Sequence, residues 1–204
     1  MLSTQENKIN HPIMNIASSH ASQEELIQEN NNIEAAKMNP TKFEILYNNN
    51  YEKIFRFVYQ RLGEKEMAFD ITQQVFLNAM QSIKKYEFRG IPFSSWLYRI
   101  ARNELNQLFR KNSLHRTINI DETDLRYMAD EMQADPLEEY SKKLPDVISG
   151  LDEDDLQLIE MRFFEKRPFK EIAEILGITE NNAKVKLYRI LEDMKKTLLN
   201  KDTN

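Results

Sequence analysis

The chain contains no cysteine and, in 204 residues, only four glycines and six prolines. The first absence excludes disulfides, thiol nucleophiles and cysteine-ligated zinc, and makes an intracellular compartment the simpler expectation. The second leaves few breaks for the chain to turn at. Gly63, Gly90, Gly150 and Gly177 each fall between apolar periodic segments, and none interrupts one. No run approaches the ~18 consecutive apolar residues of a membrane span, and the polar opening lacks a signal peptide's apolar core. A cytoplasmic protein with no membrane insertion is expected. A Gly-rich phosphate loop and a nucleophile elbow are also missing. The three histidines, His11, His20 and His115, have no second ligand at metal spacing. No motif gathers an acid, a base and a binding loop, so the expectation is a non-enzyme with no catalytic residue, metal or cofactor. The carboxylates at 152–155 read as a helix cap and dipole partners.

What is present is charge, unevenly placed. The formal net charge of -5 hides two blocks: residues 84–116 carry eight Lys/Arg against two Glu, and residues 119–155 carry thirteen Asp/Glu against three Lys/Arg. A basic segment of this kind suits nucleic acid, and the sum conceals it.

The segment 167–191 has the pattern of a helix-turn-helix. Pro168 is tolerated in a first helical turn, Ile172, Ala173 and Leu176 recur at helical spacing, and Gly177 stands where a left-handed residue closes a helix. Ile178 is expected to plug the turn, Thr179 to cap the second helix, and Ala183, Leu187, Ile190 and Leu191 to form its buried stripe. The small Ala173 permits the close crossing this motif needs. Opposite the stripe, at ~100° per residue, lie Asn181, Asn182, Val185, Tyr188 and Arg189, flanked by Lys184 and Lys186. Amides and Arg read base edges in a major groove and Lys holds phosphates. An ordinary helical hairpin with solvated charges is the alternative.

Upstream, residues 1–40 are rich in Asn, Gln, Ser and Glu. They read as a mobile extension, with Ser22 and Glu25 able to form a capping box. Leu26, Ile27, Ile33, Ala36 and Met38 are enough for a short anchor on a protein partner, with an inert tail as the alternative. From Pro40 onward three amphipathic helices are expected: one ending at Gly63, one over 64–83 with a polar face at Asp70, Gln73, Gln74 and Asn78, and one from Phe93 to about Lys111. Met80 is placed with the second helix's buried set. The loop 87–93 contains Phe88, Arg89, Gly90 and Pro92 and has a shaped look, with Phe88 a candidate for exposure. Around it Lys84, Lys85, Arg99, Arg102, Arg110 and Lys111 interleave with aromatic residues. Cations follow a single strand's backbone, and rings accept unstacked bases at ~1–3 kcal/mol each. Most of these rings, Trp96 included, also fit an ordinary core. The acidic stretch 119–135 shows no sustained period and reads as linker. Helix resumes at Pro136, breaks at Pro145, and runs again from about Glu153 to Phe164.

The fold class is therefore all-α: two small helical domains joined by an acidic linker, the second ending in the helix-turn-helix. The boundaries expected are 1–40 for the extension, 41–114, a linker over 115–135, and 136–204.

Three motifs in order, Asp70-Ile-Thr-Gln73-Gln-Val-Phe76, then Phe93-Ser-Ser-Trp96-Leu-Tyr-Arg-Ile-Ala-Arg-Asn103, then Glu171-Ile-Ala-Glu-Ile-Leu-Gly177-Ile with Lys184-Val-Lys-Leu-Tyr-Arg189, carry a family pattern. The chain resembles the bacterial RNA polymerase sigma factors of the sigma-70 family, extracytoplasmic-function group, over about residues 43–196. The resemblance implies a transcription initiation factor that brings core polymerase to a promoter and assists its melting. By the same resemblance, Asp70, Gln73 and Gln74 face the clamp of the polymerase's largest subunit. Phe88, Arg89, Gly90, Arg99, Arg102, Asn103 and Arg110 serve the downstream promoter element as it melts. Asn181, Asn182, Lys184, Val185, Lys186, Tyr188 and Arg189 serve the upstream, double-stranded one. An anti-sigma or recruiting protein is a further expected partner. The rival reading is a stand-alone helix-turn-helix regulator that uses only the terminal motif.

Overall fold

The computed structural model describes residues 22–112, 122–132 and 137–201. Among these residues every regular element is helical, in the order α1 (Gln23–Met38), α2 (Phe43–Leu62), α3 (Lys65–Ser82), α4 (Phe93–Asn112), α5 (Glu122–Glu131), α6 (Leu137–Ser149), α7 (Glu153–Ile159), α8 (Phe169–Leu176) and α9 (Glu180–Lys201).

Helices α2, α3 and α4 form the first packed unit. α2 ends at Gly63, whose left-handed φ of 71° returns its N–H to the Tyr59 carbonyl, the backbone conformation a glycine adopts without cost to a Cβ. The Glu64 carboxylate caps α3 through the Glu66 and Met67 amides. Ile54, Val58, Ala68, Val75, Ala79, Phe93, Leu97, Ala101 and Leu105 are buried between the three helices. At ~25 cal/mol per Å² of apolar surface removed from water, such a set is what holds a unit this small together. Met80 departs from its expected place: it is 41% exposed.

The reading of residues 1–40 as a mobile extension does not hold for 23–38. The Ser22–Glu25 capping box forms in both directions, Ile33 and Ala36 are buried, and the Glu29 carboxylate accepts the Phe93 N–H at 2.7 Å at the start of α4. Burial raises the Glu29 pKa above the usual carboxylate value, against the pull of that N–H and of Lys53. Ile33 and Ala36 of the thin apolar pattern find their partner within the chain, where α1 packs on α2, while Ile27 and Met38 stay exposed. The remaining residues of that extension, 1–21, lie outside the described residues.

Two further expectations are corrected. Part of the acidic linker is helix α5, because Leu125, Met128, Ala129 and Met132, spaced i, i+3, i+4 and i+7, all reach the interior. No break occurs at Pro145, which lies on the exposed side of a continuous α6. Only one intrahelical bond is forfeited there, and Leu144, Val147 and Ile148 on the opposite side stay buried.

In the second half, Asp152 caps α7 by accepting the Asp155 N–H at 2.8 Å. The helix then widens into a π turn, Glu160–Phe164, closed by the Glu165 N–H on the Glu160 carbonyl. α8 ends at Gly177 with φ 70° and the Ile178 N–H returns to the Ala173 carbonyl. The Thr179 hydroxyl accepts the Asn182 N–H at 3.2 Å to start α9. Ile178 does not plug the turn; it is 36% exposed, and Ile172, Ala173, Ala183 and Leu187 fill the crossing instead.

The two halves pack against each other through a buried ionic cluster. Arg61 of α2 donates to Glu160 at 2.6 Å and Glu165 at 2.9 Å, lies over the Phe57 ring at 3.5 Å and also donates to the Phe57 carbonyl. Arg167 bonds Glu165 and stacks on Tyr98 at 3.7 Å. Burial alone would raise the Glu165 pKa, but Arg167 and Arg61 outweigh it and hold the carboxyl below its usual value. A planar guanidinium is suited to such a place, since it combines a forked donor with a face that stacks on rings.

Candidate nucleic-acid interface

The cationic residues of interest stand on three pieces: the loop before α4, the outward side of α4, and α9. The loop is held by aromatic packing. Tyr86 and Phe93 meet edge to face at 5.3 Å, and Trp96 tilts against both at 4.8 and 5.3 Å. Such contacts add to simple burial because ring edges and faces carry opposite partial charge. Phe88 is half-buried against the hydrophobic core and not exposed as expected. Gly90 takes φ 66°, which turns the chain between Arg89 and Ile91.

From this base, Arg89, Arg99, Asn103 and Arg110 reach solvent and Arg102 is partly covered. All but the first lie on one helix, and Arg99, Arg102, Asn103 and Arg110 share a face by their spacing. Arg110 donates back to the Asn106 carbonyl. Three further groups are not free: Arg89 meets Glu174 at 3.1 Å, Arg99 meets the same carboxylate at 3.6 Å, and Arg102 bonds Gln157 and reaches Asp154 at 2.8 Å. Lys170 of α8 donates to the Gly90 carbonyl.

On α9, Asn181, Asn182, Val185, Tyr188 and Arg189 are exposed while Ala183, Leu187, Ile190 and Leu191 are buried. Lys184 pairs with Glu180 one turn back at 2.7 Å, and Lys186 pairs with Asp155 of α7 at 2.8 Å. An outward helix face bearing amides, an aromatic ring and cations has the composition of a major-groove reader.

The third group lies on α3. Asp70 and Gln74 are exposed; Gln74 donates to Asn78, which donates on to Glu104. Gln73 is half-covered and donates to the Tyr47 hydroxyl at 3.2 Å. Phe69 and Leu77 beside them are 49% and 42% exposed. Sequence reasoning did not find these apolar neighbours, although their spacing on α3 carried the signal. It also missed Arg167, and Glu174 and Arg61, whose partners lie far along the chain: Glu174 meets Arg89, 85 positions away, and Arg61 meets Glu160 and Glu165, 99 and 104 positions away. Among the described residues no group of three His, Asp or Glu is placed to hold a metal, and no helix is long and apolar enough to cross a membrane.

Family models match both halves of the chain. Sigma-70 region 2 matches residues 46–115 and sigma-70 region 4 matches residues 141–194. The chain belongs to the sigma-70 family of RNA polymerase sigma factors, in its extracytoplasmic-function group, and its role is that of a transcription initiation factor. It is 27% identical over 158 residues to the sigma factor BldN of Streptomyces coelicolor, a match covering 75% of this chain and 59% of BldN. It is 25% identical to SigX of Bacillus subtilis, covering 76% of this chain and 82% of SigX, and 27% identical to SigW of the same organism, covering 72% and 83%. The solved structure of CnrH in complex with the cytosolic domain of CnrY shares the fold, with a TM-score of 0.53 at 18% identity over 85% of this chain and 98% of that one. The stand-alone regulator is not favoured, because a region 2 accompanies the helix-turn-helix.

Proposed function

We propose that the chain docks on core RNA polymerase through the α3 face of Asp70, Gln73 and Gln74, and that its two halves then take separate promoter elements. The observation that carries the docking reading is the company these residues keep: polar groups ringed by exposed Phe69, Leu77 and Met80. A contiguous apolar surface of this kind marks a place where another macromolecule sits. The downstream element, melted, falls to Phe88, Arg89, Gly90, Arg99, Arg102, Asn103 and Arg110. The loop supplies a shaped recess and α4 a row of cations for the strand's phosphates. The upstream element falls to α9, with Asn181, Asn182, Tyr188 and Arg189 facing bases and Lys184 and Lys186 facing phosphates. No step requires a group that makes or breaks bonds, so the chain is a non-catalytic subunit that works in the cytoplasm beside the DNA. An anti-sigma or recruiting protein belongs to this reading; CnrH, of the same fold, is found with the cytosolic domain of CnrY.

The docking face is tested by replacing Asp70, Gln73 and Gln74 with Ala together. Asp70 and Gln74 are exposed, where substitutions usually change stability by less than ~0.5 kcal/mol each. Helicity and thermal unfolding are expected to hold while affinity for core polymerase drops. Wild-type affinity in the triple variant would remove the α3 face from the account.

A further inference from the structure

Helix α4 borrows its cap from another helix. The residue before it is Pro92, whose side chain has no acceptor, so the first amides of the helix need partners from elsewhere. The Ser95 N–H returns to the Pro92 carbonyl at 3.0 Å. The Phe93 N–H is taken at 2.7 Å by the carboxylate of Glu29, on α1 and 64 positions upstream. An anion there also meets the positive end of the helix dipole. The place is shielded, since Glu29 is only partly exposed and Phe93 is fully buried.

The position of this bond gives it a second consequence. Phe93 closes one end of the loop 87–92 and Tyr86 closes the other, and the two rings meet edge to face at 5.3 Å. α1 reaches both ends. It packs on the short 3-10 turn Ile83–Lys85 just ahead of Tyr86. Burial first, and then the Glu29 and Glu174 carboxylates, raise the pKa of the Tyr86 hydroxyl, so the Glu29 charge acts on that end too. Ile33 and Ala36 seat the helix, and Lys53 of α2 attracts the same carboxylate. α1 lies ahead of residues 46–115, the extent of the region 2 match.

We infer that Glu29 is a positioning residue for promoter opening: its bond to the Phe93 N–H fixes the stem of the loop 87–92 and so keeps the recess for an unstacked base in shape. The inference rests on the assignment of that loop to the downstream element. Its physical basis is preorganisation. A loop that has to be ordered when the base arrives gives up part of the binding gain to that ordering, and a site is held in its productive shape by the hydrogen bonds behind it. Without the carboxylate, the Phe93 amide is left unpaired in a shielded place. The first turn of α4 then loosens and the loop takes up other conformations. The docking face on α3 and the reading face on α9 stand on other helices and keep their own contacts.

The test compares the full chain with Glu29→Ala and Glu29→Gln, each with core polymerase on a promoter that the wild-type complex selects. Affinity for core polymerase and the rate of promoter opening are measured separately, below the thermal midpoint of every variant. The chain's single tryptophan, Trp96, lies against Tyr86 and Phe93, so its emission reports on the loop's aromatic base in the free chain. If the recess is formed in about one-tenth of the Glu29→Ala molecules, opening slows about tenfold, because only that fraction captures a base. Glu29→Ala is expected to show that loss and a red-shifted Trp96 emission, with wild-type affinity for core polymerase. Glu29→Gln, whose amide oxygen still accepts the Phe93 N–H, is expected to recover most of the opening rate. Wild-type opening in Glu29→Ala overturns the inference. So does a matching loss of core affinity, which makes Glu29 a general support of the fold, and so does a Glu29→Gln rate as low as that of Glu29→Ala. Phe88→Ala/Arg89→Ala is run alongside and is expected to slow opening as well. Wild-type opening in Glu29→Ala alone is a failure of the inference; wild-type opening in the double variant is a failure of the loop's promoter assignment, and the inference falls with it.

Discussion

Replacing Phe93 with Ala is expected to lower the thermal midpoint by roughly 10 °C and to abolish promoter melting at 37 °C. Phe93 is fully buried at the start of α4, edge to face with Tyr86 and tilted against Trp96. Its N–H also carries the Glu29 carboxylate. Truncating a core Phe costs about 3–5 kcal/mol, a large fraction of the roughly 5–15 kcal/mol that holds an ordinary domain folded. At about 2–4 °C per kcal/mol for a chain of this size, the shift is large enough to be unmistakable by calorimetry. The functional loss has a separate cause. The ring is the anchor of the loop that carries Phe88, Arg89 and Gly90, so the recess loses its shape even where the helices persist. Phe93→Leu keeps most of the volume and is expected to fall between the two. A midpoint within 2 °C of wild type for Phe93→Ala would mean that the aromatic cluster does not support the loop.

The second large effect concerns α9, measured with the polymerase complex. Lys186→Ala is expected to weaken binding to all promoter variants alike and to reduce the slope of log affinity against log salt by about 1, the loss of one phosphate contact. Arg189→Ala is expected to behave differently, relaxing preference at one base position by ~1–3 kcal/mol, the discrimination a good bidentate contact supplies. A sequence-selection experiment on the upstream element separates the two. Indistinguishable selection profiles for both variants would take base reading away from this helix.

What the sequence made legible was local. Gly177, Thr179 and the stripe Ala183, Leu187, Ile190 and Leu191 act within a few residues of themselves, and each takes the conformation or burial its type implies. The capping box of Ser22 and Glu25 was equally readable. Whether α1 then docks depends on Ile33 meeting a surface built by residues far along the chain, and no periodicity within 23–38 encodes that meeting. α5 was missed for a related reason: its apolar set spans barely two turns and is diluted by acids, so its period emerges only once α6 covers it. The docking and promoter residues were named from motif order, and their mutual distances lay beyond any sequence pattern. Least legible were the acids. Division of the charge into blocks separated a basic segment from an acidic one, but it could not say that Asp154, Asp155 and Glu174 would lie on Arg102, Lys186, Arg89 and Arg99.

The account's central claim is that one chain, added to core polymerase, both chooses a promoter and helps open it. The most direct measurement is transcription of a genomic fragment library by core polymerase with and without the purified full chain, with permanganate footprinting of the start sites it selects. The account predicts discrete start sites that need the chain, single-stranded thymines just upstream of each, and loss of both when Asp70, Gln73 and Gln74 are replaced together. Discrete binding of the chain to DNA with no polymerase-dependent start site and no permanganate-reactive thymine would contradict it.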